Sequence, residues 1–406
     1  PPPPPPPPPT YTPPPPPHNT TRPWSSAASD VYKRQLRILV QVGLVAVVFG
    51  ILAYLFSNLV ENMRRQGIDT GFGYLNQPAE FSIPGSDFRK TQTRWSALLV
   101  GVANTFRVAF AGIVLATVLG VLLGIARLSK NWLIKTGARL YVEFFRNIPL
   151  LVIIVFTYLA VFLQFPKVDD AMEPLGISVV SVRGIYIPWY EGGSSFRPYL
   201  VVLLGALIIG VLVAQYRTRV HDTTGVPHRR VLYGGGVFLA VAALGYALLG
   251  SPFSITTPDL TDGLVEGGVR LPPEYAALLI ALVVYTASHI GEITRASIQS
   301  VDKGQREAGM ALALSGFQRM RYVILPQAFR VAIPPLANQY LNLTKNSSLA
   351  IAIAYYELTK VTNDLIANGG PAPQSYVLLM LIYLVISLGI AAITNYFNRR
   401  MALVER

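Results

Sequence analysis

The sequence predicts an all-α polytopic membrane protein with about eight transmembrane helices. Of its 406 residues, 52% are hydrophobic and only 14% are charged, whereas charged residues make up about 25% of an ordinary soluble domain. A soluble protein of this length needs more charge to cover its surface. The composition therefore argues against a soluble enzyme, a secreted disulfide scaffold and a coiled coil.

Each predicted span is a run of about 20 mostly apolar residues, which is the length that crosses a bilayer. The eight runs occupy residues 36–57, 98–126, 147–165, 198–214, 231–250, 275–294, 336–356 and 375–396. The fourth run is short, and the seventh is unusually polar.

The distribution of lysine and arginine predicts the orientation, because basic loops stay on the cytoplasmic side. The loop 127–146 carries five basic residues against Glu143 alone, whereas the segment 251–274 carries four acidic residues against Arg270. With eight spans, basic and non-basic loops alternate along the chain, so both termini are expected in the cytoplasm. The net charge of +13 then follows from topology, and no nucleic-acid partner is needed.

Residues 1–35 differ in composition from the rest of the chain. Pro1 to Pro9 and Pro13 to Pro17 hold 14 of the 32 prolines. Proline has a fixed φ and no amide donor, and such runs favour extended chain. We therefore predict a disordered proline-rich tail over residues 1–35.

Residue types that are absent or rare exclude several kinds of chemistry. There is no cysteine and there are four histidines. Disulfides and thiolate sites are therefore excluded, and few side chains are available as metal ligands. The chain also has no Gly-x-x-x-x-Gly-Lys-Ser/Thr phosphate loop, so ATP has to be hydrolysed by another protein if it is the energy source.

A basic loop between the sixth and seventh spans, residues 295–335, carries the most information. From Glu307 its residues are strong helix formers, Gly316 is expected to end that helix, and Leu325-Pro326 to end a second short stretch. The loop is thus predicted to be a helix–turn–helix beneath the membrane, with one carboxylate at its start.

This pattern resembles the EAA loop of the permease subunits of binding-protein-dependent ABC importers. Glu307 and Ala308 match its start, and Leu325-Pro326 stand at the expected distance. Gly309, Ala313 and Val323 depart from it, each by a small or isosteric change.

Further strings are similar to the polar amino acid permeases of the histidine/glutamine group. They are, in order, Asn104-Thr105 at the opening of the second span, Phe145–Leu151, Glu292–Val301 and Asn338–Leu349. Over residues 36–406 the chain is most similar to the longer permease of the general L-amino acid or glutamate/glutamine/aspartate/asparagine importers.

The resemblance implies a five-helix type I importer core, called MetI-like, plus three additional helices. The expected divisions are the tail 1–35, a first added span and periplasmic segment 36–97, a first core segment 98–165, an inserted periplasmic segment and two-span hairpin 166–274, and a second core segment 275–406 with the coupling loop 295–335.

The resemblance also implies partners in the bacterial inner membrane. These are cytoplasmic ABC ATPase subunits, a second, related but non-identical permease subunit, and a periplasmic amino-acid-binding protein. The substrate is expected to be a polar or acidic L-amino acid. ATP is bound by the ATPase, and this chain binds no cofactor.

The ATPase is expected to dock on the coupling loop. The predicted coupling residues are Glu307, Ala308, Gly309, Ala313, Gly316, Leu325 and Pro326. Glu307 accepts hydrogen bonds from the ATPase or caps its own helix, and the sequence leaves both open. Contact with lipid headgroups is the simpler interpretation for Lys303, Arg306 and Arg319.

The seventh span is the best candidate for a substrate path. Asn338, Gln339, Asn342, Lys345 and Asn346 fall within an arc of about 120° on a helix, and such groups avoid lipid. Lys345 is expected to bind a substrate carboxylate, to pair with Glu292 or Glu357, or to reach the cytoplasmic surface. Ser347 and Ser348 are expected to pack helices closely.

Three further residues have two interpretations each. Asn104 and Thr105 either line the path near the periplasmic mouth or cap the second span. Glu292 is a second path candidate, with His289 one turn away on the sixth span. These two residues either form a structural pair or take part in a proton relay, and the structural pair is favoured because a relay requires more such pairs.

The main alternative function is an ion-coupled secondary transporter. That class requires an internal repeat and acidic ion ligands within the spans, and the sequence shows neither. A membrane enzyme requires a catalytic cluster at membrane depth, which four histidines do not supply. The polar seventh span argues against a purely structural subunit.

Overall fold

The computed structural model describes residues 24–67, 71–224, 229–261 and 263–401, and within these ranges the fold is mainly helical. The α-helices are α1 (Trp24–Arg65), α2 (Arg94–Ala126), α3 (Trp132–Asn147), α4 (Leu150–Phe156), α5 (Phe196–Thr224), α6 (Arg230–Leu248), α7 (Pro273–Gln299), α8 (Lys303–Ala311), α9 (Gly316–Arg319), α10 (Leu325–Asn346), α11 (Leu358–Ala367) and α12 (Ala372–Met401). The strands are β1 (Val179–Ser181), β2 (Gly184–Ile187), β3 (Trp189–Gly192), β4 (Phe253–Thr256), β5 (Asp259–Thr261), β6 (Leu264–Glu266) and β7 (Val269–Leu271).

Six of the described helices are long and apolar enough to cross a membrane: α1, α2, α5, α6, α7 and α12. A seventh span exists if α3 and the helical stretch 150–164, which are bent by 100° at their junction, are counted as one. The all-α membrane fold is thus confirmed, with six or seven such spans against about eight predicted.

The predicted seventh span, 336–356, accounts for the difference between eight spans and seven. Its helix, α10, already begins at Leu325 and ends at Asn346, where a 3-10 segment continues to Ile353. Ala354 then adopts a left-handed conformation with φ 56°, which ends the segment. The polar residues of α10 make it less apolar than the other long helices.

The first helix corrects one predicted boundary. α1 begins at Trp24, so residues 24–35 are helical and the predicted disorder is wrong for them. Its start follows Pro23, and the next proline is Pro78, so nothing in between forbids a helix. Residues 1–23 of the predicted tail lie outside the described residues. The unit that contains α1 ends at Gly71, and Phe72–Arg406 form a second unit.

Small residues let α2 approach α7 closely in the second unit. A Cβ added at Gly120 would lie 2.5 Å from Ile290 Cβ, and one added at Gly124 would lie 2.5 Å from Thr294 Cβ. Such spacing of small residues brings the backbones of membrane helices into contact. The α2–α7 pair, called the core pair below, packs against α3, α10 and α11.

The inserted segment contains short strands that the sequence did not predict. β1, β2 and β7 form one antiparallel sheet, and β3–β4 and β5–β6 form two antiparallel pairs. Because β2 and β3 precede α5 while β4 and β7 follow α6, the strands join the two ends of the α5–α6 hairpin. Each strand has only three or four residues, too few to show a clear alternation of polar and apolar side chains.

The α5–α6 hairpin also depends on a close glycine contact. A Cβ added at Gly234 would lie 2.6 Å from the carbonyl oxygen of Gly210. The buried Tyr199 hydroxyl donates to the Ala242 carbonyl at 3.1 Å. The two helices pack mainly against each other.

Candidate functional site

One face of α10 presents the polar residues that the sequence singled out. Asn338, Asn342 and Lys345 are exposed, and Gln339 and Asn346 are partly buried. The buried residues of the same helix are Ala328, Ala332, Leu343 and Thr344. The exposed polar face is therefore separate from the packed one, and it is called the polar face of α10 below.

Lys345 forms no ion pair within the described residues, and both acidic partners proposed for it are bound elsewhere. Glu292 pairs with Arg127 and Arg295. Glu357 is fully buried and accepts from the Tyr383 hydroxyl at 2.8 Å. A structural ion pair of Lys345 with either carboxylate is therefore a wrong prediction, and its ammonium stays exposed.

The side chain of Glu357 is buried in the turn before α11, outside the spanning helices. Desolvation raises the pKa of this carboxyl, while the Tyr383 hydroxyl and the backbone amides of Thr359 and Lys360 oppose that rise. Its oxygen accepts from the Lys360 amide at 3.0 Å, so it serves as the N-cap of α11.

The serines that follow Lys345 are satisfied locally. The Ser347 hydroxyl donates to the Thr344 carbonyl at 2.7 Å, and the Ser348 hydroxyl to the Lys345 carbonyl at 2.8 Å. Ser347 is fully buried. These bonds stay within the segment, which is consistent with a packing role.

Asn104 and Thr105 hold α2 against the start of α11. The Asn104 amide donates to the Tyr356 carbonyl at 2.8 Å. Thr105 Oγ1 accepts from the Leu358 amide at 3.2 Å and is fully buried. The prediction that they cap the second span is wrong, because α2 begins at Arg94 with Thr93 as its N-cap.

A cleft beside Asn104 contains the residue that sequence reasoning missed. The cleft has a volume of about 660 Å³, and the exposed Arg107 lies on it and donates to Asn104 Oδ1 at 3.2 Å. An arginine inside an otherwise apolar span is itself a functional signal. That signal was present in the predicted span 98–126.

Glu292 lies in an ion-pair cluster rather than on the polar face of α10. Arg127, after the end of α2, and Arg295, one turn along α7, both donate to its carboxylate. His289 is not its partner: that ring contacts Tyr285, with centroids 4.8 Å apart. The predicted pair of His289 with Glu292 is therefore wrong, because the two arginines satisfy the carboxylate.

The coupling loop begins with a capped helix. Asp302 accepts from the Gly304 amide at 2.6 Å and caps α8. Glu307 lies further along α8, exposed, and its side chain makes no hydrogen bond or ion pair with a described residue. The prediction that Glu307 caps its own helix is wrong, since Asp302 takes that place.

The end of α8 shows why the family pattern has a glycine where this chain has Ala313. Ala313 has φ 53°, and the amide of Leu314 donates to the Gly309 carbonyl at 3.1 Å. A residue in this left-handed position after a helix is usually glycine, which is what the family pattern has there. Gly316 does not end α8 as predicted, because it is the first residue of α9 and follows the N-cap Ser315.

Leu325 and Pro326 also differ from their predicted role. They do not end a stretch of helix but begin α10, directly after the π-helical turn Met320–Ile324. In the first turn of a helix the missing amide of proline costs little, because that amide has no partner within the helix.

The coupling loop exposes apolar side chains as well as Glu307. Gly309 is buried, and a Cβ there would lie 3.1 Å from Arg319 Cγ, so α8 packs closely on the segment that follows. Arg306 donates to the Ile298 carbonyl at 2.7 Å, which fixes α8 to the end of α7. The exposed residues around Glu307 include Ala308, Met310, Leu312 and Phe317.

Known proteins resemble this chain along nearly its whole length. The family profile described as "Binding-protein-dependent transport system inner membrane component" matches residues 269–403. The chain is 38% identical over 371 residues to the putative amino-acid ABC transporter permease protein YhdX of Escherichia coli strain K12, covering 91% of this chain and 94% of that protein.

Two further relatives are similar over comparable lengths. One is the general L-amino acid transport system permease protein AapQ of Rhizobium johnstonii, 36% identical over 385 residues, 94% of this chain and 96% of the relative. The other is the glutamate/glutamine/aspartate/asparagine transport system permease protein BztB of Rhodobacter capsulatus, 35% identical over 411 residues, 93% of this chain and 96% of the relative.

Proposed function

We propose a substrate route and a docking surface for this chain, which belongs to the family of amino acid ABC transporter permeases. It is a multi-pass inner-membrane permease subunit of an ATP-driven amino acid importer. The family match agrees with the predicted MetI-like permease fold. The relatives favour this function over an ion-coupled secondary transporter.

The polar face of α10 is the observation that carries the proposed route. Asn338, Asn342 and Lys345 are exposed on a helix whose other side is packed in the core. Exposed amides and an ammonium are costly against lipid, so another protein surface or water has to face them. The second permease subunit, a related chain, covers this face, and the amino acid passes between the two subunits.

The proposed docking surface for the ATPase is the exposed side of α8 and α9. Glu307 is exposed and has no partner among the described residues, and Met310, Leu312 and Phe317 expose apolar side chains on the same two helices and their connection. A surface that combines an unpaired carboxylate with exposed apolar side chains suits a groove on a cytoplasmic protein. ATP hydrolysis then takes place in that partner.

The names of the relatives suggest the remaining partners. One relative is named for general L-amino acids and another for glutamate, glutamine, aspartate and asparagine. We therefore assign this chain a polar or acidic L-amino acid as substrate. A periplasmic amino-acid-binding protein delivers that substrate.

Replacing Lys345 by alanine tests the route. We expect uptake of L-[³H]glutamate and L-[³H]glutamine to fall about tenfold, which corresponds to about 1.4 kcal/mol of lost stabilisation. The purified complex should keep its size on gel filtration. Lys135→Ala is the matched control, because Lys135 is also exposed but lies on α3. Normal uptake by Lys345→Ala would show that the polar face of α10 is not the route.

Reversing the charge of Glu307 tests the docking surface. We expect Glu307→Arg to lose more than half of the ATPase subunit during affinity purification, because an unpaired cation replaces the carboxylate at the contact. Glu143→Arg is the control, since Glu143 is an exposed glutamate of α3. Retention of the ATPase by Glu307→Arg, with wild-type ATP hydrolysis, would contradict the proposed contact.

A further inference from the structure

We infer that the cleft beside α2 binds the zwitterionic head of the transported amino acid, with Arg107 holding its α-carboxylate and aromatic rings receiving its α-ammonium. This inference rests on the proposed function, because it assumes that an amino acid is transported along the surface of this subunit. It adds a recognition site that is separate from the polar face of α10.

The positive charge of the cleft favours the binding of an anionic group. Its walls come from the segment before α2, from α2, β2, β3 and β7, and from the start of α7 and the turn before α11. Two guanidinium groups, those of Arg107 and Arg270, line it, and the adjoining pocket, which Arg107 also lines, has the carboxylate of Asp87 in its lining. A volume of about 660 Å³ is within the range of small-molecule sites.

The two arginines are not equivalent. Arg270 Nε donates to the Arg183 carbonyl at 3.0 Å, so some of its donors are engaged. The guanidinium of Arg107 makes one hydrogen bond, to Asn104 Oδ1, and no ion pair with a described residue. A guanidinium has five N–H donors, so most of those of Arg107 remain available for a ligand.

Asn104 positions Arg107 for this task. Its amide donates to the Tyr356 carbonyl at 2.8 Å, which fixes the orientation in which Oδ1 faces Arg107. The guanidinium is thereby held at the edge of the cleft. A planar guanidinium binds a carboxylate through two parallel hydrogen bonds, and the α-carboxylate is present in every amino acid.

Aromatic rings on the cleft provide faces that attract the α-ammonium group of the amino acid. The rings on the cleft are Phe110, Trp189, Tyr190, Tyr275 and Tyr355. The rings of Tyr275 and Tyr355 lie 5.8 Å apart by their centroids. The face of an aromatic ring attracts a cation, so a cleft with free guanidinium donors and several rings suits a zwitterion better than a simple anion.

The test measures ligand binding to the purified complex of this chain with its partner subunits, without the binding protein. Competition against L-[³H]glutamine is measured with L-glutamine and with 4-aminobutanamide, which is glutamine without the α-carboxylate. We expect Arg107→Gln to weaken L-glutamine at least tenfold and to leave the weak binding of 4-aminobutanamide unchanged. Arg107→Lys, which keeps the charge, should restore some of the affinity.

A matched control separates this effect from a general loss of positive charge. Arg89 is an exposed arginine of the segment before α2 and does not line the cleft, so Arg89→Gln should bind as the wild type does. Gel filtration of each complex reports assembly. Unchanged L-glutamine binding by Arg107→Gln overturns the inference, and so does an equal loss for both ligands.

Two other results have distinct meanings. If the wild-type complex with its binding protein transports no amino acid, the proposed function itself fails. If Arg107→Gln binds L-glutamine normally but loses the stimulation of ATP hydrolysis by the binding protein, then Arg107 contacts that protein instead of the substrate, and the inference is overturned while the function stands.

Discussion

Two helix pairs of this protein use the same packing device in different surroundings. In the core pair, Gly120 and Gly124 bring α2 against α7, and in the inserted hairpin Gly210 and Gly234 bring α5 against α6. Yet α7 has thirteen buried residues, whereas α5 and α6 have three each. Close glycine contact therefore joins two helices but does not place them in a core.

The family comparison separates the elements differently. The profile match covers residues 269–403, which include α7 and α10 but neither α2 nor the hairpin. The core pair also carries several of the cleft residues, packs against the buried side of α10, and is joined to the coupling loop by the hydrogen bond from Arg306 to Ile298. We therefore expect substitutions in the core pair to abolish transport and those in the hairpin to affect mainly local stability.

The largest effect is expected from Gly120→Ala. The added methyl group would overlap Ile290, with Cβ 2.5 Å from Cβ and 2.6 Å from Cγ2. Overpacking of this kind costs about 3 kcal/mol, so uptake should fall below roughly a tenth and the complex should melt at lower temperature. Gly137→Ala is the control, because a Cβ there meets nothing within 4 Å. Full uptake by Gly120→Ala would show that the core pair tolerates separation.

A smaller loss is expected from Glu292→Gln. The substitution leaves Arg127 and Arg295 without their carboxylate, and Arg127 is only 14% exposed. Because the cluster is partly open to solvent, we expect destabilisation of about 2 kcal/mol, measured from thermal unfolding of the complex. Glu143→Gln, which breaks an exposed pair with Arg139, should change stability by less than about 0.5 kcal/mol. Equal effects of the two substitutions would mean that the cluster does not stabilise the core pair.

The smallest effect on transport is expected from Gly234→Ala in the hairpin. Its Cβ would lie 2.6 Å from the Gly210 carbonyl oxygen, so the two helices must separate at a cost of about 1–2 kcal/mol. Hydrogen exchange in α5 and α6 should therefore increase, whereas uptake should stay above half of the wild-type rate. Gly235→Ala, whose Cβ meets nothing within 4 Å, should change neither. Loss of uptake in Gly234→Ala but not in Gly235→Ala would show that the hairpin takes part in transport. The core pair and the hairpin would then not differ in function.

Hydropathy and loop charge predicted most of the spans, because these properties belong to a segment itself. The predictions are wrong where contacts with another segment of the chain determine the local structure. α10 begins at Leu325 directly after a π-helical turn, and the left-handed residue that follows the end of α8 is Ala313, although alanine gives no such signal. The partners of Glu292 come from α7 and from Arg127 beyond α2, and the periodicity of one helix cannot reveal them.

The candidate site also combines features that one segment determines with features that depend on contacts between distant segments. The polar face of α10 was predictable because its residues share one helix and a 3.6-residue period. The cleft was not, because it brings together residues as distant in sequence as Arg107, Trp189 and Tyr275. The one local signal was Arg107 itself, an unexplained charge within an apolar run.

The strand pairing at the foot of the hairpin has a consequence for how the chain can be shortened. Gly192 and Phe253 are paired residues of the antiparallel strands β3 and β4, and everything between them is α5, α6 and their connections. Two antiparallel strands can be closed by a two-residue Asn-Gly turn. Residues 194–251 can therefore be replaced by a tight turn, and the remaining residues of the two strands keep their register.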